Sequence, residues 1–178
     1  MRRGWPLFAL LCAFAMTACA GTAKPTNQCA VSGCDMIDRQ KCELLACLGN
    51  VQGTQIERHE DGACVIMCCD QLFESGSARV SPATCRQLRE VAEIVKKYPD
   101  THMKVEAHTD CIRSEEDNLV LSENQAEAIK EVLASQGVVS SRIAARGWGE
   151  AKPVASNATE AGRQANRRLA ITLLPGKN

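Results

Sequence analysis

Asp110, Asn118, Ser122 and Gln125 bring a carboxylate, two carboxamides and a hydroxyl into one short stretch, H-T-D-C-I-R-S-E-E-D-N-L-V-L-S-E-N-Q-A, from His108 to Ala126. No nucleophile is paired with a base here, and no acid/base pair argues for hydrolysis. The chemistry open to these groups is non-covalent recognition. The stretch reads as a strand end, a polar loop and the first turn of a helix, so the four side chains converge at one rim of a sheet. Polar groups that converge on a rigid scaffold are the mark of a binding site.

The elements that must hold this rim follow from periodicity. Met103, Val105 and Ala107 alternate with polar residues, which predicts a half-buried strand leading into the rim. Leu121, Ile129, Val132 and Leu133 mark the buried stripe of a helix that leaves it and ends at Gly137. Upstream, Thr54 to Arg58 and Ala63 to Phe73 are strand-like runs joined by His59-Glu60-Asp61-Gly62, whose Asp-Gly predicts a hairpin. Ser81 caps a helix with Pro82 in its first turn, and Cys85, Leu88, Ala92 and Val95 share one face. Ile143 to Trp148 is a further strand, Thr159 to Asn166 a short helix, and Leu169, Ile171 and Leu173 the inward face of a last strand. The order β-β-α-β-α-β-α-β predicts an α+β fold, a two-layer sandwich with helices on a mixed sheet.

The chain has 178 residues, 45% hydrophobic and 24% charged, enough for a globular core. Aromatics make up 3% and the formal net charge is zero, so neither base stacking nor phosphate binding is served and no nucleic-acid partner is expected. The first residues set Arg2 and Arg3 before an apolar run that ends in small residues, the layout of a secretory signal over 1–18. That run is shorter than the roughly 20 apolar residues a bilayer span needs. Met16-Thr17-Ala18-Cys19 resembles a bacterial lipobox, which implies acylation (palmitate among the chains) at Cys19 and a lipidated tether over 19–28. Ala20, in place of Asp, resembles lipoproteins sorted to the outer membrane.

Of the 11 cysteines, nine remain after Cys12 and Cys19 are set aside. An exported chain favours disulfides, and an odd number leaves at least one thiol outside intrachain bridges. Residues 29–51, with cysteines at 29, 34, 42 and 47, read as a small disulfide-stapled helical piece. Asp35 caps its helix, Leu44 and Leu48 lie on the apolar side, and Gly49 follows the end. No C-x-x-C occurs and His59, His102 and His108 are scattered, so neither a metal nor any other cofactor is expected. The vicinal pair Cys68-Cys69 falls in a strand and is expected to point one thiol inward and the other outward.

Several motifs together resemble a known family. Leu72 to Ala78 (L-F-E-S-G-S-A), His108 to Asp110 (H-T-D), Asn118 to Ser122 (N-x-x-L-S), Gly147 to Pro153 (G-W-G-E-x-x-P), Asn157 to Thr159 (N-x-T) and Gly162 to Arg168 (G-R-x-x-N-R-R) resemble an OmpA-like peptidoglycan-binding domain. The match spans residues 52–174, leaving 175–178 as a tail. With the lipobox, the whole resembles a peptidoglycan-associated lipoprotein. The resemblance implies a non-enzymatic protein of the outer membrane, lipid-anchored and facing the periplasm, whose domain grips the diaminopimelate of the peptide stem. It implies a peptidoglycan site at Asp110, Asn118, Leu121, Ser122, Gln125, Arg163 and Arg167, with Asp110 receiving the ammonium. Gln125 stands where the family places an arginine for a carboxylate, and Arg113 is the one nearby guanidinium in the loop to replace it. His108 is expected to hydrogen-bond backbone, Asn118 and Ser122 to cap the second helix and hold the loop, Trp148 to pack, and Arg168 to pair with surface acids. Two other readings compete. One is a degenerate domain that binds other envelope proteins through its cysteine-rich face; the other is a thiol redox enzyme built on Cys68-Cys69.

Overall fold

Five strands form where the apolar residues alternate. β1 (Thr54–Arg58) and β2 (Ala63–Cys68) make the expected hairpin, and β3 (His102–His108), β4 (Ile143–Gly147) and β5 (Arg168–Leu174) complete one sheet in the order β1-β2-β5-β3-β4. All neighbours are antiparallel except β3 and β4, which run parallel. The computed structural model describes residues 35–74 and 77–176. The signal, Cys19, the tether, Cys29, Cys34, Ser75, Gly76 and the last two residues lie outside the described residues.

Register explains the core. Ile56, Val65, Ile171, Val105 and Ala145 stand side by side across the five strands. Because strand side chains alternate between faces, this row and its neighbours two residues away make one apolar surface. On it lie α1 (Met36–Leu48), α3 (Pro82–Lys97) and α4 (Glu115–Ser135), which bring Leu44, Leu48, Leu88, Val91, Val95, Ile129 and Leu133 into the same buried cluster. The other sheet face carries Gln55, Glu57, Lys104, Glu106 and Arg146, which gives the expected two layers.

The caps fall where the sequence placed them for α1 and α3: Asp35 accepts from the Asp38 N–H and Ser81 from the Thr84 N–H. α1 is part of the helical layer. Its Gln40 donates to the Thr101 hydroxyl at 2.7 Å, and Glu43 accepts from Lys97 and from the Tyr98 hydroxyl, each at 2.6 Å. Among the described cysteines Cys42 is disulfide-bonded, whereas 47, 64, 68, 69, 85 and 111 are free thiols. Bridging is thus sparser than expected here: Cys47 does not staple α1, and Cys111, directly after Asp110, is also unbridged.

The strand expected to reach Phe73 stops at Cys68, and a single turn, α2 (Cys69–Leu72), follows. The Cys69 N–H leaves the ladder to donate to the Arg167 carbonyl at 2.9 Å. That one bond draws α2 towards the end of α5 (Glu160–Asn166), and so sets the rim described next.

Candidate functional site

The ends of β2 and β3, the start of α4 and the α5–β5 junction meet around a cavity of about 380 Å3. Its walls include Asp70, Phe73, Ser77, His108, Thr109, Asp110, and from α4 Asn118, Leu121 and Gln125, with Arg167 closing one side. The buried face of the first half of α4 is polar: Asn118, Ser122 and Gln125 follow one another at helical spacing before Ile129 and Leu133 take over. Ser114 caps this helix by accepting from the Asp117 N–H. The capping role expected of Asn118 and Ser122 is therefore corrected, since both stand inside the helix.

The other half of that expectation, holding the loop, is met by Asn118. The Asn118 carboxamide donates to the carbonyls of Asp110 and Arg113 at 3.0 and 3.2 Å and to Glu150 at 2.7 Å. It holds the loop after β3 in a closed turn. The Ser122 hydroxyl donates to the Leu119 carbonyl and accepts from the Gly149 N–H at 2.8 Å, while Gly149 accepts from the Thr109 N–H at 2.9 Å. Ser122 thus points away from the cavity and joins α4 to the G-W-G-E turn. Gly149 has φ +52°, a conformation that glycine adopts without cost.

Asp110 is 7% exposed and its two oxygens are placed separately. One accepts from the Ile112 N–H at 3.2 Å and the other from Arg167 Nη1 at 2.7 Å. Arg167 also forks onto Asp70, at 2.8 and 2.9 Å, and reaches Glu160 at 3.1 Å. Three carboxylates around one guanidinium, with Asp70 the strongest partner, raise the Arg167 pKa above its usual value. Each carboxylate oxygen offers more than one lone pair, so Asp110 keeps acceptor capacity towards the cavity.

Of the expected site residues, Asp110, Asn118, Leu121, Gln125 and Arg167 line the cavity. Arg163 does not: it donates to Glu160 and to the Asn157 carbonyl at 2.9 Å, bracing the loop before α5. Buried Asn166 does the same through Val154, Ala155 and Asn157, which gives the Asn of the N-x-T motif a structural role. Arg168 bonds the backbone carbonyls of Asn166 and Lys152 rather than surface acids. Trp148 packs between Arg146 and Lys152, 3.8 and 3.3 Å from its ring centre, and donates to Glu106. Sequence reasoning missed Asp70 and Glu150. The first could be found as an acid at the end of the strand beside β5, the second as the acid of G-W-G-E.

The Cys68-Cys69 pair splits, with Cys69 buried and Cys68 half-buried, but not by strand alternation as expected, because β2 ends at Cys68 and Cys69 opens α2. Burial drives the Cys69 thiol far above its ordinary pKa, and neighbouring Cys68 adds to this. A thiol so protonated is a poor nucleophile, which counts against a redox role for Cys69.

His108 is 5% exposed and its Nδ1 has no hydrogen-bond partner, so the backbone bond expected of that nitrogen is not made. Burial, then the nearby Arg168 charge, lowers its pKa from 6.5 to about 4. Between these values the unfolded chain takes up a proton that the folded chain refuses. The stabilisation is complete above pH 6.5 and is lost as pH falls towards 4. Lowering the pH from 7 to 4.5 is expected to cost about 2–3 kcal/mol at this residue, read from urea midpoints. His108→Gln should flatten that window; an unchanged slope would rule the histidine out as its source.

A two-layer α+β domain with an acid, amides and a guanidinium gathered around one cavity defines a domain built for non-covalent ligand binding. The chain belongs to the OmpA family, whose model matches residues 72–167. It is similar to a protein named "Probable lipoprotein YiaD" from Escherichia coli (38% identical over 123 residues, 69% of this chain and 56% of that protein). It is also similar to "Peptidoglycan-binding protein ArfA" from Mycobacterium bovis (37% identical over 101 residues, 57% of this chain and 31% of that protein). Among solved structures it resembles the cell wall anchor of the T6SS from Pseudomonas aeruginosa, with TM-score 0.66 and 30% identity over 75% of this chain and 96% of that one. The chain spans little more than half the length of the first of these relatives and about a third of the second. Outer-membrane proteins are among the relatives, and no helix among the described residues is long and apolar enough to cross a membrane.

Proposed function

We propose that the chain is an envelope protein whose cavity holds the diaminopimelate-containing peptide stem of peptidoglycan non-covalently. Acyl chains on Cys19 would then tie the outer membrane to the wall. The observation that carries this reading is Asp110: a carboxylate at the strand end, fixed by Ile112 and Arg167, with lone pairs left for a ligand ammonium. Relatives named as a peptidoglycan-binding protein and as a cell wall anchor support it. Two acyl chains suffice for stable anchoring, at about 0.8 kcal/mol per buried CH2.

The test is retention of the full chain on purified sacculi. Asp110→Ala is expected to lower retention about ten-fold or more, as loss of a charge-assisted bond requires. Equal retention of both proteins would sink the proposal. The alternative, capture of an envelope protein by an exposed thiol, has weaker support. Cys47 is exposed, but partial burial and the Glu90 charge raise its pKa and so reduce its thiolate.

A further inference from the structure

The Gln125 carboxamide is 6% exposed and its orientation is set by its neighbour. Nε2 donates to the Ser77 carbonyl at 3.2 Å, and since a carbonyl only accepts, the NH2 group must be the end that faces it. Oε1 is left without a donor among the described residues. The second Nε2 proton is likewise uncommitted. Gln125 therefore offers an incoming group one acceptor and one donor side by side.

The guanidiniums around the cavity do little to change this. Arg167 has five N–H bonds, and four of them go to Asp70, Asp110 and Glu160. It has no free fork for a ligand carboxylate. Arg113 is exposed in the loop and makes no ion pair among the described residues, so its charge stays in water. Of the three buried side-chain atoms without a hydrogen-bond partner among the described residues, His108 Nδ1 and Thr109 Oγ1 lie on residues of the cavity wall. A hydroxyl and a neutral imidazole suit a donor-bearing ligand as well as Asp110 does.

We propose that this site selects stem peptides whose diamino acid carries its distal carboxyl group as a carboxamide. A ligand carboxamide donates to Oε1 and accepts from Nε2, satisfying both open atoms of Gln125. A carboxylate accepts from Nε2 but sets its other oxygen against Oε1, two acceptors with no proton between them. Two acceptors held together without a donor, in place of two hydrogen bonds, lose about ten-fold or more in affinity. Asp110 still takes the ammonium in either case. The inference rests on the stem-binding reading above and adds to it the chemical form of the stem.

The experiment is calorimetric titration of the full chain with two synthetic stem peptides that differ only at that group, free acid or carboxamide. The carboxamide is expected to bind about ten-fold tighter. Gln125→Leu, close in size and without either polar atom, should erase the preference, and Gln125→Arg should turn it towards the acid. Binding of the acid as tightly as the carboxamide, or more tightly, overturns the carboxamide selection and leaves stem binding standing. Such a result would point to Arg113 as the carboxylate partner. Binding of neither peptide overturns the stem-binding reading, and this inference with it.

Discussion

Arg167→Leu is expected to lower unfolding stability by about 2–3 kcal/mol, with the urea midpoint moved and the slope unchanged. The guanidinium is 24% exposed and the Asp110 side chain 10%, so the pair sits where water screens it incompletely. Removing the cation leaves Asp110 and Asp70 close together without the charge that joined them, and like charges disfavour each other's ionised form. The cost is that of stranded anions, not of one lost contact, which is why it exceeds the usual worth of a surface ion pair. Arg167→Lys should recover only part of it, because an ammonium cannot fork onto Asp70 while still reaching Asp110. A lysine variant no more stable than the leucine one would show that packing, not charge, is what Arg167 supplies.

Gly147→Ala is expected to destabilise by about 3 kcal/mol, at the upper end for an overpacked site. A Cβ there would meet the backbone nitrogen of Glu123 and the Ser122 hydroxyl, closer than any van der Waals contact. Glu123 N is backbone, and the Ser122 hydroxyl is held by its bonds to Leu119 and Gly149. The helix α4 would have to lift off β4, and with it Ser122 would lose Gly149, whose carbonyl holds Thr109 beside Asp110. The variant should therefore show both a lower melting temperature and weaker stem binding at temperatures where it remains folded. Full binding with normal melting would mean that α4 does not rest on this glycine.

Local signals were legible from the sequence because their physics is local. Asp35 and Ser81 cap helices within three residues of themselves, and Asp61-Gly62 turns a hairpin without help from elsewhere. The alternation of Met103, Val105 and Ala107 fixed one face of β3. The start of α4 at Glu115 is hidden for a physical reason: its first buried residues are polar, so an apolar period begins only at Leu121 and makes Asn118 and Ser122 look like caps. Arg167 was assigned to the rim, but its grip on Asp70 spans 97 residues of chain and leaves no local trace. The thiols were overread as bridges because cysteine parity says nothing about which side chains face one another.

β5, the last strand in the chain, lies in the middle of the sheet, between β2 and β3. A sheet closed by its final strand cannot assemble in the order in which its residues are made. The hairpin β1–β2 and the parallel pair β3–β4 each have an open edge until residues 168–174 arrive, and such long-range pairing makes folding slow. The cavity inherits that timing. Asp70 and Asp110 come from opposite sides of the missing strand, and Arg167, which joins them, stands immediately before it. Recognition is therefore a property of the finished chain alone: a copy clipped before Arg167 would have both acids and no site.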